Sequence, residues 1–200
     1  MNLGLYLCKK NVLEEKTTNK QVTLKIAKLL ADVQTGVPAK VKTALDALQV
    51  SGKDAIIEPL IRSIPLQTDE ECIGEIIEFL SSLKSTSARK EVMACLKNPE
   101  LAEFKIQILS TIWNSPLDYS EYLTEFISLA ITGDFLITLE CLTILENLNG
   151  PFEEADILES QLLLKAYYEG TERDSQKAPL MDEIALLIKD IDRRHDLELD

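Results

Sequence analysis

The sequence predicts an all-α protein of about ten antiparallel helices in five pairs, forming one domain over residues 1–200. Apolar residues recur at three- and four-residue steps along most of the chain, which is the period of an amphipathic helix. Similar segments at residues 79–83, 108–112 and 141–145 lie about 29 and then about 33 residues apart, a spacing typical of repeats built from helix pairs. The sequence therefore predicts a stack of helical repeats.

The first predicted pair follows an N-terminal arm or cap over residues 1–17, where leucines alternate before the chain turns polar. Its first helix starts at Thr18 and its second at Pro38, with Gly36 in the turn. Gly and Pro mark this turn because neither favours a continuing helix. The predicted buried positions are Val22, Ile26, Leu29, Leu30 and Val33, then Val41, Ala44, Leu45 and Leu48.

The second pair is predicted from two helix-start signals, at residues 51–54 and 68–71. Both have the spacing of a capping box, in which a hydroxyl and a carboxylate satisfy each other's exposed backbone donors. The first box opens a helix over residues 54–64, where Pro59 should kink the helix or delay its regular start. The second opens a helix that ends at Leu83. Its predicted inward residues are Ile73, Ile76, Ile77, Leu80 and Leu83.

The other three pairs have recognisable starts as well. Asn98 before Pro99 fits an N-cap followed by Pro at the first helical position, and residues 118–121 repeat the capping-box pattern. The predicted pairs are 88–97 with 99–114, 118–132 with 134–149, and 153–169 with 180–193. The predicted organisation is a repeat core over 18–151, a looser C-terminal capping pair over 152–194 and a tail over 195–200.

One join between helices resembles the HEAT repeat family. The segments KVKTALDAL (40–48) and DAIIEPLI (54–61), separated by Gly52, resemble the second helix of one HEAT repeat and the first helix of the next. Pro59 carries most of this resemblance, because the family often kinks its first helix there. After this join the period falls to about 30 residues, against about 40 in the family. The chain thus resembles a degenerate HEAT-like or Armadillo-like α-solenoid over about residues 20–150.

The resemblance implies an α–α superhelix in which the second helix of each pair lines a concave groove. Polar residues three or four positions apart on those helices would share one stripe. They would bind a partner, or they would be the solvated backs of amphipathic helices. The candidate partner-binding residues are Glu75, Glu78, Ser82, Glu103, Gln107, Ser110, Asn114, Glu140, Thr143 and Asn147.

The chain is acidic and electrically polarised, with a formal net charge of −13. Residues 1–60 contain nine Lys and six Asp or Glu, a balance of +3, while residues 101–200 contain seven basic and 21 acidic residues, a balance of −14. Nucleic-acid binding depends on Lys and Arg that release counterions from phosphates. We therefore expect no nucleic-acid partner.

The four cysteines, at positions 8, 72, 95 and 141, are far apart and form no C-x-x-C pair. This pattern predicts buried reduced thiols and a cytoplasmic location. We expect no membrane association, because no apolar run reaches the roughly 20 residues of a membrane helix and the N-terminus lacks a secretory signal.

No residue pattern predicts catalysis, a cofactor or a metal site, so we expect no enzyme. The single His195 is too little for a zinc or di-iron site. Neither a G-x-S-x-G turn nor a glycine-rich phosphate loop occurs. Trp113 follows Leu109 and Ile106 at helical spacing, which predicts a place in the core between repeats, with a surface anchor as the alternative.

Three functions remain as hypotheses. The favoured one is a non-enzymatic protein–protein interaction scaffold or adaptor that binds another protein through a concave helical surface. The alternative is an acidic inhibitor or immunity-type protein that masks a basic partner. A HEAT-like enzyme or ligand-binding repeat protein is the second alternative, and it rests on fold alone. Head-to-tail self-association is also expected from the opposite charges of the two chain ends.

Overall fold

A computed structural model describes residues 20–51, 54–170 and 174–199. This part of the chain contains ten α-helices and no β-strand, which confirms the all-α prediction. Helix α1 covers residues 20–33. The other helices are α2 (Pro38–Ser51), α3 (Ile57–Ser63), α4 (Glu70–Ser81), α5 (Thr86–Lys97), α6 (Lys105–Trp113), α7 (Leu123–Thr132), α8 (Phe135–Glu146), α9 (Glu154–Glu169) and α10 (Ala178–Leu199). None of these described helices has both the length and the apolar character needed to cross a bilayer.

Three sequence-based predictions fall wholly or partly outside the described residues. They are the arm over residues 1–17, the thiol of Cys8 and the capping box at residues 51–54. The chain divides into two compact units, Met1–Phe79 and Leu80–Asp200. A single domain over residues 1–200 therefore stays a prediction.

In the first unit, the apolar faces predicted for α2 and α3 are buried. Helix α3 begins at Ile57 after a 3-10 turn at Asp54–Ile56, so Pro59 is its third residue. The first four N–H groups of a helix have no intrahelical acceptor, so a proline costs little there. This confirms the predicted delayed start. The buried residues are Val41, Ala44, Leu45 and Leu48 on α2, and Ile56, Ile57, Leu60, Ile61 and Ile64 around α3.

Helix α4 differs from its prediction in both its cap and its buried face. The Asp69 side chain, rather than that of Thr68, caps it, since Asp69 Oδ1 accepts a hydrogen bond from the Glu71 N–H at 2.9 Å. Ile73 and Ile77 are only half-buried. The buried face consists of Cys72, Ile76, Phe79 and Leu80.

In the second unit, helices contact partners two elements away as well as their chain neighbours. Helix α8 packs against α6, α7 and α10, while α7 also packs against α9. Helix α9 packs against α10, and α5 packs against α6. Polar contacts also join alternate helices. Lys97 Nζ of α5 donates to Glu125 Oε1 of α7 at 3.0 Å, across 28 residues of sequence. Helices α6 to α10 of the second unit are therefore connected by contacts between alternate helices as well as between neighbours.

The start of α6 is less regular than predicted. Asn98 Oδ1 accepts a hydrogen bond from the Glu100 N–H at 3.0 Å, which confirms the predicted cap. The segment Pro99–Phe104 is a 3-10 helix with a break at Leu101 (φ −109°, ψ 16°), and the α-helix begins only at Lys105.

The predicted capping box at residues 118–121 is wrong, because the Asp118 side chain accepts hydrogen bonds from groups other than the N-terminal N–H groups of α7. Asp118 Oδ1 accepts hydrogen bonds from Ser120 Oγ at 2.7 Å and from the Asn149 N–H at 3.4 Å. Ser120 Oγ in turn accepts from the Gly150 N–H at 2.8 Å. The turn before α7 is thus hydrogen-bonded to residues 149 and 150, which follow α8.

A buried lysine closes the C-terminal end of α7. Lys177 is 5% exposed, and its Nζ donates to the carbonyl oxygens of Ala130, Ile131 and Gly133 at 3.0, 2.6 and 2.7 Å. A cation is favourable at this end because the last carbonyls of a helix lack intrahelical donors. Burial lowers the pKa of Lys177, although the nearby carboxylate of Asp174 opposes this.

Helix α10 continues to Leu199, beyond its predicted end at Arg193. His195 therefore lies within a helix and not in a tail.

We predict that Lys177→Met lowers the free energy of unfolding by about 2 to 4 kcal/mol, because it leaves helix-end carbonyls buried without a donor. Urea denaturation followed by circular dichroism measures this change. The matched control is Lys165→Met. The Lys165 side chain is 70% exposed, and its Nζ makes one long ion pair, 3.9 Å from Glu169 Oε1. Equal effects of the two substitutions would show that Lys177 does not hold the end of α7.

Candidate interaction surface

Helices α6 and α8 of the second unit pack against each other, and with their C-cap residues they carry six of the ten candidate residues. Positions 107, 110 and the C-cap 114 follow one another at helical spacing along α6, as do 140, 143 and the C-cap 147 along α8, so each set forms one stripe. Asn114 and Asn147 are exposed, and the other four side chains are half-buried.

One hydrogen bond joins the two stripes. Trp113 Nε1 donates to Glu140 Oε2 at 2.8 Å, across 27 residues of sequence. The Trp113 side chain is 40% exposed, so its prediction as a core residue is wrong. The buried face of α6 contains Ile108, Leu109 and Ile112, and Trp113 is the last residue of the helix, one turn beyond Leu109. The indole therefore lies at the surface with its N–H fixed by a carboxylate.

The hydroxyl and amide donors beside this pair are used within their own helices. Ser110 Oγ donates to the Gln107 carbonyl at 2.8 Å, and Thr143 Oγ1 donates to the Leu139 carbonyl at 3.0 Å. Asn114 Nδ2 donates to the Ser110 carbonyl at 3.0 Å. Asn147 Nδ2 makes the same kind of bond, to the Thr143 carbonyl at 2.7 Å. The side-chain oxygens of these residues are left as hydrogen-bond acceptors.

Two leucines of α8 extend the surface with apolar area. Leu136 is 51% exposed and Leu139 is 38% exposed. Leu136 precedes Glu140 by four residues, so the two side chains are neighbours on one face of the helix. The exposure of these two leucines could not be predicted from the sequence, because α8 (FLITLECLTILE) is apolar on nearly all sides. Periodicity alone does not show which side of such a helix faces solvent. The α6–α8 surface comprises Gln107, Ser110, Trp113, Asn114, Leu136, Leu139, Glu140, Thr143 and Asn147.

The remaining candidate residues lie elsewhere. Glu75 belongs to the first unit, where Lys42 Nζ lies 3.1 Å from its Oε1, and Glu78 is exposed in the same unit. Ser82 is half-buried just after α4, and Glu103 is exposed in the 3-10 helix before α6. The structure thus joins the α6 and α8 stripes, while the role of all ten residues in partner binding stays a prediction.

A separate cavity of about 530 Å³ is lined by residues of α5, α6, α7 and α9. Its lining includes the apolar side chains of Met93 and Leu96 together with the Lys97–Glu125 ion pair. Trp113 does not line it. The other charged residues of the lining, Lys105 and Glu159, are also of opposite sign. The cavity therefore has no strong preference for the charge of a ligand.

Metal-ligating and nucleophilic side chains both occur among the described residues. Nowhere among them do three His, Cys, Asp or Glu side chains gather as they would around a metal ion. Cys72, Cys95 and Cys141 are buried free thiols. Burial raises the pKa of the Cys141 thiol to about 12, and the neighbouring Glu140 carboxylate adds to this increase. That thiol is protonated at neutral pH and is a poor nucleophile.

Comparison with protein-family models, with curated proteins and with solved structures finds no match for this chain. The resemblance to HEAT and Armadillo repeats therefore stays a prediction.

We predict that Glu140→Ala speeds hydrogen exchange of the Trp113 indole N–H by about fivefold, which corresponds to the loss of one hydrogen bond of about 1 kcal/mol. The chain has one Trp, so a single indole signal in a ¹⁵N–¹H NMR spectrum reports the change. Glu146→Ala, at an exposed position of the same helix, is the control. An exchange rate that is the same in both variants would mean that Glu140 does not hold the indole.

Proposed function

We propose that this protein is a non-enzymatic interaction scaffold or adaptor that binds another protein on the α6–α8 surface. The observation that carries the proposal is the half-exposed Trp113, which is held by Glu140 of a helix that also exposes Leu136 and Leu139. Tryptophan supplies a large, amphipathic contact area and is enriched among the residues that dominate binding energy. A side chain that is already fixed loses less conformational entropy when a partner binds.

The contacts in the second unit support an α-solenoid arrangement. Stacked helix pairs place first helices against first helices and second helices against second helices. The contacts of α7 with α9, and of α8 with both α6 and α10, follow this rule. We infer that α5 with α6, α7 with α8, and α9 with α10 are antiparallel pairs. The α6–α8 surface then belongs to the row of second helices, which would line the concave side.

A second candidate function is the masking of a basic protein. Residues 101–200 carry a net charge of −14 by sequence, and no Lys or Arg is part of the α6–α8 surface. A negative field of this kind attracts cationic partners and speeds their encounter. The two functions differ in their dependence on salt. A masking protein should lose roughly tenfold or more in affinity when salt rises well above the physiological level, whereas docking led by Trp113 and Leu136 should lose much less.

We predict that Trp113→Ala weakens binding of a captured partner by about 30-fold, in line with the loss of roughly 2 kcal/mol at an interface hot spot. The partner is isolated from native lysate on the immobilised protein, purified, and titrated calorimetrically against each variant. Leu136→Ser should weaken binding as well, by about tenfold, because Leu136 is exposed one helical turn from Glu140, which holds the indole.

The matched control for Leu136→Ser is Leu158→Ser, because Leu158 on α9 has nearly the same exposure, 50%. It should change the affinity by less than about twofold. The proposal fails if the Trp113 and Leu136 variants bind the partner as tightly as the wild type. It also fails if the folded wild-type protein retains no partner in stoichiometric amount.

A further inference from the structure

We propose that the α6–α8 surface recognises an arginine side chain of its partner, with the guanidinium on the Trp113 indole and against the Glu140 carboxylate. This inference rests on the proposed function and names the chemistry of the group that is bound. It starts from the direction of the hydrogen bonds on this surface.

The polar groups around Trp113 offer mainly hydrogen-bond acceptors, together with the second amide hydrogen of each Asn and the amide group of Gln107. The indole N–H is used by Glu140, the hydroxyls of Ser110 and Thr143 donate to carbonyls of their own helices, and one amide hydrogen of each Asn does the same. The carboxylate, the hydroxyls and the two Asn oxygens keep lone pairs for an incoming group, whereas Gln107 Oε1 is buried. A partner rich in donors matches them, whereas a carboxylate or phosphate would meet acceptors and negative charge.

Glu140 has an unused oxygen and no cation beside it. Trp113 binds its Oε2, and among the described residues no Lys or Arg lies within ion-pair distance of either oxygen. The carboxylate is half-buried at the edge of an aromatic ring. A partner's cation would both neutralise this charge and supply the missing donor.

The pairing of an indole with a carboxylate favours arginine over lysine. A guanidinium is planar, so it can stack on an aromatic face while its edge donates hydrogen bonds to a carboxylate. An ammonium is compact and strongly hydrated, and it can satisfy the carboxylate without covering the ring. The 2.8 Å bond from Nε1 to Oε2 places the ring edge next to the carboxylate, within the span of one guanidinium group.

The exposed leucines indicate what should accompany the arginine. Leu136 and Leu139 lie within about one helical turn of Glu140, and both are more than one-third exposed. An aliphatic side chain close to the arginine would cover them. The occupant that fits is therefore a basic amphipathic segment of a protein, with an arginine next to a large aliphatic residue.

The test uses three small probes at equal ionic strength: acetyl-arginine methylamide, acetyl-lysine methylamide and acetyl-citrulline methylamide. Citrulline is nearly the same shape as arginine but uncharged. The readout is the single Trp113 indole signal in the ¹⁵N–¹H NMR spectrum of the full chain. We expect the arginine probe to shift this signal in a saturable way, with a Kd on the order of millimolar, as a contact of one side chain allows. The lysine probe should bind roughly threefold or more weakly, and citrulline should produce no saturable shift.

Glu140→Gln should reduce the affinity for the arginine probe by at least about fivefold, while Glu146→Gln should leave it unchanged. The inference is overturned if citrulline shifts the indole signal as arginine does, if no probe shifts it, or if Glu140→Gln binds like the wild type. Its failure can be told apart from failure of the proposed function. If a partner is lost in Trp113→Ala but the arginine probe does not bind, the function stands without the arginine. If the partner binds Trp113→Ala normally, the function itself fails.

Discussion

No single helix can bury its own apolar face, and most of the second unit follows from that constraint. Most of the described helices are also short enough to be marginal in water when isolated, so packing must supply most of their stability. The covering surface comes from the neighbouring helix and from the helix two elements further along, as in the contacts of α8 with α7 and α6. Bonds such as Lys97 to Glu125 and Trp113 to Glu140 cross the same interval of 27 to 28 residues. The sequence separation of these contacts is thus close to the spacing of about 29 residues between the first two similar segments of the sequence.

The same constraint explains why the α6–α8 surface is exposed. Once each helix has covered its buried face, its remaining side has no neighbour to satisfy it, and short polar side chains there bond to their own helix. This leaves acceptors outward, as at Asn114 and Asn147. Trp113 adds apolar area to an otherwise acceptor-rich surface, and Glu140 fixes its orientation.

The presence of the helices could be predicted from periodicity, and so could the buried faces of α2 and α3, but not those of α1 and α4, where Val22 is exposed and Ile73 and Ile77 are only half-buried. The cap at Asn98 was predicted from its residue type before Pro99. The surface was predicted only in part. Trp113 follows the buried Leu109 by one turn, yet it is the last residue of α6 and is 40% exposed, and periodicity does not show whether another element covers the end of a helix. Asp118 and Lys177 were missed because their partners lie about 30 and 45 residues away. Contacts of that range depend on how helices pack, which local patterns do not encode.

The central claim is that the α6–α8 surface attracts cations because Glu140 and the outward acceptors are unopposed. A cationic and an anionic soluble nitroxide, otherwise similar in size, measure this directly through the broadening of the Trp113 indole signal. The account predicts stronger broadening by the cationic nitroxide, and a clear fall in the ratio of the two effects in Glu140→Gln but not in Glu146→Gln. Equal broadening by both nitroxides, or a ratio that Glu140→Gln leaves unchanged, would contradict it.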